Sequence, residues 1–118
     1  MIDIKFIEEF PEIVRKNILR RNSHGDVDLV LEGYTKFKKT KSDLDKYRRQ
    51  RNEISKKFVN TDKGTKETLL EKMKSIKEEI TLLEERLRIE NDFFLSEMKK
   101  IPNLTAESVP EGKTDEEN

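Results

Sequence analysis

Between residues 34 and 59 one set of positions recurs with steps of three and four: Phe37, Thr40, Leu44, Tyr47, Arg51, Ile54 and Phe58. A second set does the same further on, at Leu69, Met73, Ile76, Ile80, Leu83, Leu87, Glu90 and Phe94. This spacing belongs to helices that bury one narrow stripe against a partner, as in a coiled coil. Between them lies VNTDKGTK, where Asn, Asp and Gly cluster as a turn requires. Thr65 is the expected N-cap of the second helix, with Glu67 in its first turn. Two seams joined by a short turn predict an antiparallel hairpin. Setting Phe58 against Leu69 puts Ile54 opposite Met73, Arg51 opposite Ile76, Tyr47 opposite Ile80 and Leu44 opposite Leu83. Thr40 then faces Leu87 and Phe37 faces Glu90, so neither seam slips against the other. Either helix alone is marginal in water. Paired, they give a rod of roughly 40–50 Å at a rise of about 1.5 Å per residue.

The flanking stretches predict shorter elements. Asp3 is placed to cap a helical turn carrying Phe6 and Ile7, and Phe10-Pro11 breaks it. Pro11 opens a second helix, PEIVRKNILRRN, with Glu12 at its start, Arg20 and Arg21 at its end, and an apolar stripe of Ile13, Val14, Ile18 and Leu19. SHGDV is a loop, and His24, the only histidine, is a surface residue in it. Asp26 or Asp28 caps the next helix, which passes through Val27, Val30, Leu31 and Tyr34 into the first seam. Gly33 lies inside this helix at a cost of roughly 1 kcal/mol relative to Ala, and it admits either close packing or a slight kink. Phe93, Phe94, Leu95 and Met98 are expected to meet Tyr34, Val30 and the N-terminal helices, making a thicker, more apolar root and a thin, polar tip. The tail IPNLTAESVPEGKTDEEN, with two prolines and an acidic end, reads as a linker. The expected architecture is all-α: N-terminal helices over 1–26, arm helices over 27–59 and 67–100, a tip turn over 60–66, and a linker over 101–118 toward an absent domain.

Composition supports this picture and narrows the chemistry. Of 118 residues 32% are hydrophobic and 42% are charged, which suits solvated helices that bury one stripe each. The absence of Cys excludes disulfides and thiolate metal sites, and one His cannot make a zinc site. No apolar run approaches the ~20 residues of a membrane span, and MIDIKFIEEF lacks a secretory apolar core. The default expectation is a cytoplasmic protein with no membrane partner. No phosphate-binding glycine loop, HExxH, GxSxG or Cys–His pair is present, so no catalytic, cofactor or metal residue is expected. The carboxylate pairs Glu78/Glu79 and Glu84/Glu85 are adjacent on a helix, point different ways and read as solvated surface. Glu84 with Arg88 is an ordinary helix pair.

Net charge is zero, yet it is unevenly spread. Residues 34–59 hold ten Lys or Arg against three acids, residues 67–100 seven against nine, and residues 101–118 one against five. The basic coat of the first arm is Lys36, Lys38, Lys39, Lys41, Lys46, Arg48, Arg49, Lys56 and Lys57. It implies a polyanionic partner, foremost nucleic acid, met through phosphates with salt-dependent affinity. The aromatic residues belong to the seam, so duplex shape rather than base stacking is the expected mode. Arg51 belongs to the seam, its stem covering apolar surface while its head reaches Glu79 or solvent, and is left out of this set.

The opening MIDIKFIEEFPEIVRKNILRRN, the YRRQRNEISKKF of the first arm and the closing IPNLTAESVPEGKTDEEN, taken in order, resemble the N-terminal tRNA-binding arm of seryl-tRNA synthetases. The resemblance covers the whole chain. It implies a parent that activates serine with ATP and Mg²⁺, transfers it to tRNA, and dimerises through a class II catalytic domain. It further implies that the arm grips the long variable arm and elbow of serine tRNA, reaching tRNA served by the other subunit. None of the class II motifs lies in these residues, so this chain is expected to bind without catalysing, and to be monomeric alone. The tip sequence matches no family pattern and receives no contact. The rival readings are a prefoldin-like subunit, which would need β-hairpin segments that are absent here, and an adaptor that dimerises through its seam.

Overall fold

A computed structural model of the chain describes residues 2–104, and among them it has four α-helices and no strand. These are α1 (Ile4–Glu9), α2 (Pro11–Arg20), α3 (Val27–Val59) and α4 (Lys63–Lys99). The all-α class and the helical hairpin expected from the two seams are what the structure has. The chain divides into two compact units, one formed by Met1–Thr35 with Asn91–Asn118, the other by Lys36–Glu90.

In the first unit, local chemistry starts and stops each short helix. The Asp3 carboxylate accepts the Lys5 N–H at 2.9 Å and so caps α1. Pro11 occupies the first turn of α2, where its missing N–H costs nothing. At the other end of α2, Asn22 takes a left-handed conformation at φ 52°. Ser23 N–H then bonds the Ile18 carbonyl at 3.0 Å and Asn22 N–H bonds Leu19 at 3.2 Å, closing a Schellman motif. Of the two carboxylates suggested as caps for α3, Asp26 does the work, accepting from Asp28 N–H at 2.9 Å and Leu29 N–H at 3.2 Å. Asp28 turns instead to the Arg15 guanidinium at 2.5 Å, and the same guanidinium pairs with Glu12.

The core of this unit joins Phe6, Ile7, Val14, Ile18, Val27, Val30, Phe94, Met98 and Ile101. Tyr34 stacks on Phe94 with centroids 5.2 Å apart. The predicted α2 stripe needs one correction: Leu19 is 80% exposed, whereas Asn17 is buried. The inward face of α2 runs through Val14, Asn17 and Ile18, spaced i, i+3, i+4, and Leu19 lies one helical step outside it. Asn17 uses its buried amide to donate to the carbonyls of Pro102 and Asn103, at 3.5 and 3.1 Å. The segment after α4, the start of the stretch expected as a linker, is therefore held: Ile101 is buried and Leu104 packs on the same core. Residues 105–118 of that stretch lie outside the described residues. Of the four apolar residues expected to meet the N-terminal helices, Phe94 and Met98 do so, while Phe93 stays 46% exposed. Phe93 lies on Gly33, where an added Cβ would come 3.3 Å from its ring, so Gly33 serves close packing inside an unbroken helix. Gly25 has a similar reason: a Cβ there would sit 2.8 Å from the Lys100 carbonyl oxygen.

The second unit contains the middle of α3 and most of α4. Its core is a single seam of Leu44, Ile54, Leu69, Ile76, Ile80 and Leu83, with Tyr47, Phe58, Met73 and Leu87 packed beside it. Every one of these is a predicted seam residue. Thr40, also in the seam, is buried, and Arg51 is half-buried. Two contacts show that the helices are antiparallel: Arg48 reaches Glu84 at 3.3 Å, and the Lys66 ammonium lies 5.5 Å from the centre of the Phe58 ring. These fall about one helical turn to either side of the expected rungs, within reach of long side chains. The turn is tighter than expected. Only residues 60–62 separate the helices, and the cap falls on Asp62 in place of Thr65. The Asp62 carboxylate accepts the Thr65 N–H at 2.9 Å, which makes Thr65 the third residue of α4.

Leu44 has no accessible surface in the seam, whereas Leu82 on the same unit is 64% exposed. Leu44→Ala is expected to cost about 2–4 kcal/mol in urea unfolding followed by circular dichroism, because it removes packed methyls and leaves a cavity. Leu82→Ala is expected to stay within about 0.5 kcal/mol. Equal losses would show that the seam does not carry the stability of this unit.

Candidate nucleic-acid interface

All nine basic residues singled out on the first arm lie on α3 within the second unit. Their positions follow from the seam. With Phe37, Leu44, Arg51 and Phe58 as the a positions and Thr40, Tyr47 and Ile54 as d, residues Lys38, Lys39, Lys46, Arg49 and Lys56 occupy b, c and f and face away from the partner helix. Each of these five is exposed. Lys36, Lys41, Arg48 and Lys57 fall at e and g, beside the seam. A helix that buries only a and d has nowhere else to put charge, so the seam decides where the basic residues point.

The nine are not equivalent electrostatically. Arg48 is half-buried and bonded to carboxylates on both helices, Asp45 at 3.9 Å and Glu84 at 3.3 Å. Glu84 also falls at an e position, and flanking e residues meet each other across an antiparallel pair. Arg48 therefore braces the hairpin, and its charge is largely met within the protein. Lys39 pairs with Asp43 at 3.5 Å, an exposed i,i+4 contact worth a few tenths of a kcal/mol. Arg88 bonds Glu85 at 2.6 Å, which holds the Glu85 carboxyl below its ordinary range.

Sequence reasoning assigned the basic surface to α3 alone, and the structure adds α4. Two open grooves run between the helices. One, of about 410 Å³, has Lys57 of α3 and Lys72 of α4 in its lining, together with Gln50 and Ser75. The other, of about 420 Å³, carries Lys56, Lys57 and Asn60 near the turn. Lys72 escaped notice because α4 as a whole is slightly acidic; only pairing with α3 sets it near a basic neighbour. Among the described residues no group of three or more His, Cys, Asp or Glu is placed to hold a metal ion, and no helix is long and apolar enough to cross a membrane.

Among the described residues the second unit is an all-helical hairpin with a cationic outer face on α3. Residues 1–105 match the family model described as the seryl-tRNA synthetase N-terminal domain, and the chain belongs to that family. Its whole length is 35% identical to part of a serine–tRNA ligase from Dictyoglomus turgidum, 37% identical to part of one from Borreliella burgdorferi and 33% identical to part of one from Rubrobacter xylanophilus. The chain spans 28% of the length of each of these relatives. Family membership sets aside the prefoldin-like reading.

The cap at the turn is sensitive to acid. The Thr65 N–H, followed by the Thr65 hydroxyl, holds the Asp62 carboxyl below its ordinary value. A carboxylate depressed in the folded state adds stability above its unfolded value and loses it as pH falls through the folded one. Carbon-detected NMR titration is expected to place Asp62 below the ordinary aspartate value, and Thr65→Gly, which removes the hydroxyl, to raise it part of the way. An Asp62 midpoint at the ordinary aspartate value, unmoved by Thr65→Gly, would refute the capping geometry.

Proposed function

We propose that this chain is the tRNA-binding arm of a serine–tRNA ligase and that the basic face of its hairpin grips the long variable arm and elbow of serine tRNA through backbone and shape. Family membership carries this reading, since the relatives of 33–37% identity are serine–tRNA ligases matched over the whole of this chain. The structure supports it in one respect that matters: the seam takes up two aromatic residues of the second unit. Tyr47 and Phe58 pack in the seam, so the outward surface offers ammonium and guanidinium groups rather than stacking platforms. Such a surface suits the phosphates of a folded duplex more than exposed bases.

Under this reading the contacts are divided among the nine basic residues. Lys38, Lys39, Lys46, Arg49 and Lys56 meet phosphates from the outer face, and Lys36, Lys41 and Lys57 meet them from the flanks of the seam. Arg48 contributes chiefly by holding α3 to α4. Serine activation with ATP and Mg²⁺, dimerisation through a class II catalytic domain and a cytoplasmic location belong to the parent ligase in this proposal. The described residues hold no acidic cluster that would suit Mg²⁺.

Replacing Lys38, Lys39, Lys46 and Arg49 together by Ala is expected to weaken binding of a serine tRNA transcript by at least tenfold near 0.1 M salt. The slope of log affinity against log salt should become shallower by roughly three to four units if each residue meets one phosphate. Fluorescence anisotropy across a salt titration measures both, and an unchanged slope refutes the assignment. Sedimentation equilibrium is expected to give a single species at the chain mass of 14.0 kDa, because the seam is satisfied within one chain.

A further inference from the structure

The outer face of α3 is convex, and a convex surface can attract a polyanion without fixing where it lies. The two grooves of the second unit offer what that face lacks. Both are lined from α3 and α4 together, and they share Lys57 and Leu69, so they form one furrow along the g-position side of the hairpin. Lys57 stands at the junction, and Lys72 faces the same space from the other helix. Around these two cations are neutral hydrogen-bonding groups: Gln50 and Ser75 in the first groove and Asn60 in the second. Glu53 is the only acid in either lining.

We infer that this furrow is the seat of an RNA backbone strand, with successive phosphates on Lys57 and Lys72 and ribose hydroxyls on Gln50, Ser75 and Glu53. The inference rests on the tRNA-binding reading above and deepens it by moving the defining contacts from one helix to the groove between two. The chemistry fits a ribose–phosphate chain in particular. Two ammonium groups from opposite walls can flank one strand, which a single helix face cannot do. Amide and hydroxyl side chains beside them can donate to or accept from a 2′-hydroxyl, the group that separates RNA from DNA. A carboxylate among them suits a hydroxyl donor and repels a phosphate, so Glu53 sets the register of the strand along the furrow. The outer cations meet phosphates on the RNA surface beyond this strand and also raise the rate of encounter.

The test uses the intact 118-residue chain with two probes, a serine tRNA transcript and its isolated long variable-arm hairpin made as RNA and as DNA. Lys57→Ala and Lys72→Ala are each expected to weaken RNA binding roughly three- to tenfold, as the loss of one charge-assisted contact would. Lys74→Ala, on α4 but outside both linings, is the control and is expected to change it less than twofold. Gln50→Ala should narrow the preference for the RNA hairpin over the DNA hairpin, since it removes a hydroxyl partner and no charge. If Lys57→Ala and Lys72→Ala match the control while the outer-face quadruple variant has lost its affinity, the strand lies on the convex face. The furrow assignment is then wrong while the tRNA-binding reading stands. If the unaltered chain binds neither the tRNA nor the hairpins, both fail together.

Discussion

The seam between α3 and α4 within residues 36–90 is the constraint on which the second unit depends. With 42% of residues charged, either helix alone is marginal in water. Burying Leu44, Ile54, Leu69, Ile76, Ile80 and Leu83 along one line gives each helix a partner for the price of a single stripe. The same economy forces nearly all charge to the outside. In this chain the outward placement of the α3 basic residues and the stability of the hairpin are two results of one spacing.

Charge beside the seam does a different job from charge far from it. Arg48 and Glu84 meet across the two helices and help hold them together, as flanking positions of antiparallel pairs can. Lys57 and Lys72 line a groove on the opposite side, with Glu53 in the same lining. One side of the hairpin is tied by an ion pair between its helices, and the other carries the groove proposed to receive the RNA strand. The first unit has a different economy, in which four helical segments share one core and Asn17 holds the backbone of residues 102 and 103. Its polar contacts serve to fix chain direction.

The seam residues were legible one by one because steps of three and four can satisfy a 3.6-residue helix and nothing else over so many turns. Asp3 and Pro11 were legible because a cap and a first-turn proline act through the nearest backbone groups. Thr65 misled for a related reason: Asp62 and Thr65 are both good caps three residues apart, and only the helix start at Lys63 chooses between them. Leu19 misled because apolar character alone does not say which neighbour faces inward. Asn17 took that place, a polar residue whose partners lie more than eighty residues further along the chain.

What the sequence determined by itself is therefore local or periodic: four helices, a turn near residue 60, one partner stripe on each long helix and a basic first arm. These depend on backbone geometry within a few residues, which side-chain type and spacing control directly. The tertiary structure alone decided which charges are tied and which are open. It set Arg48 against Glu84, brought Lys72 of a mildly acidic helix beside Lys57, laid Phe93 on Gly33 and packed Ile101 against the N-terminal core. The reason is physical. A charge has no fixed role until the groups within a few ångströms of it are known, and those groups come from the other helix.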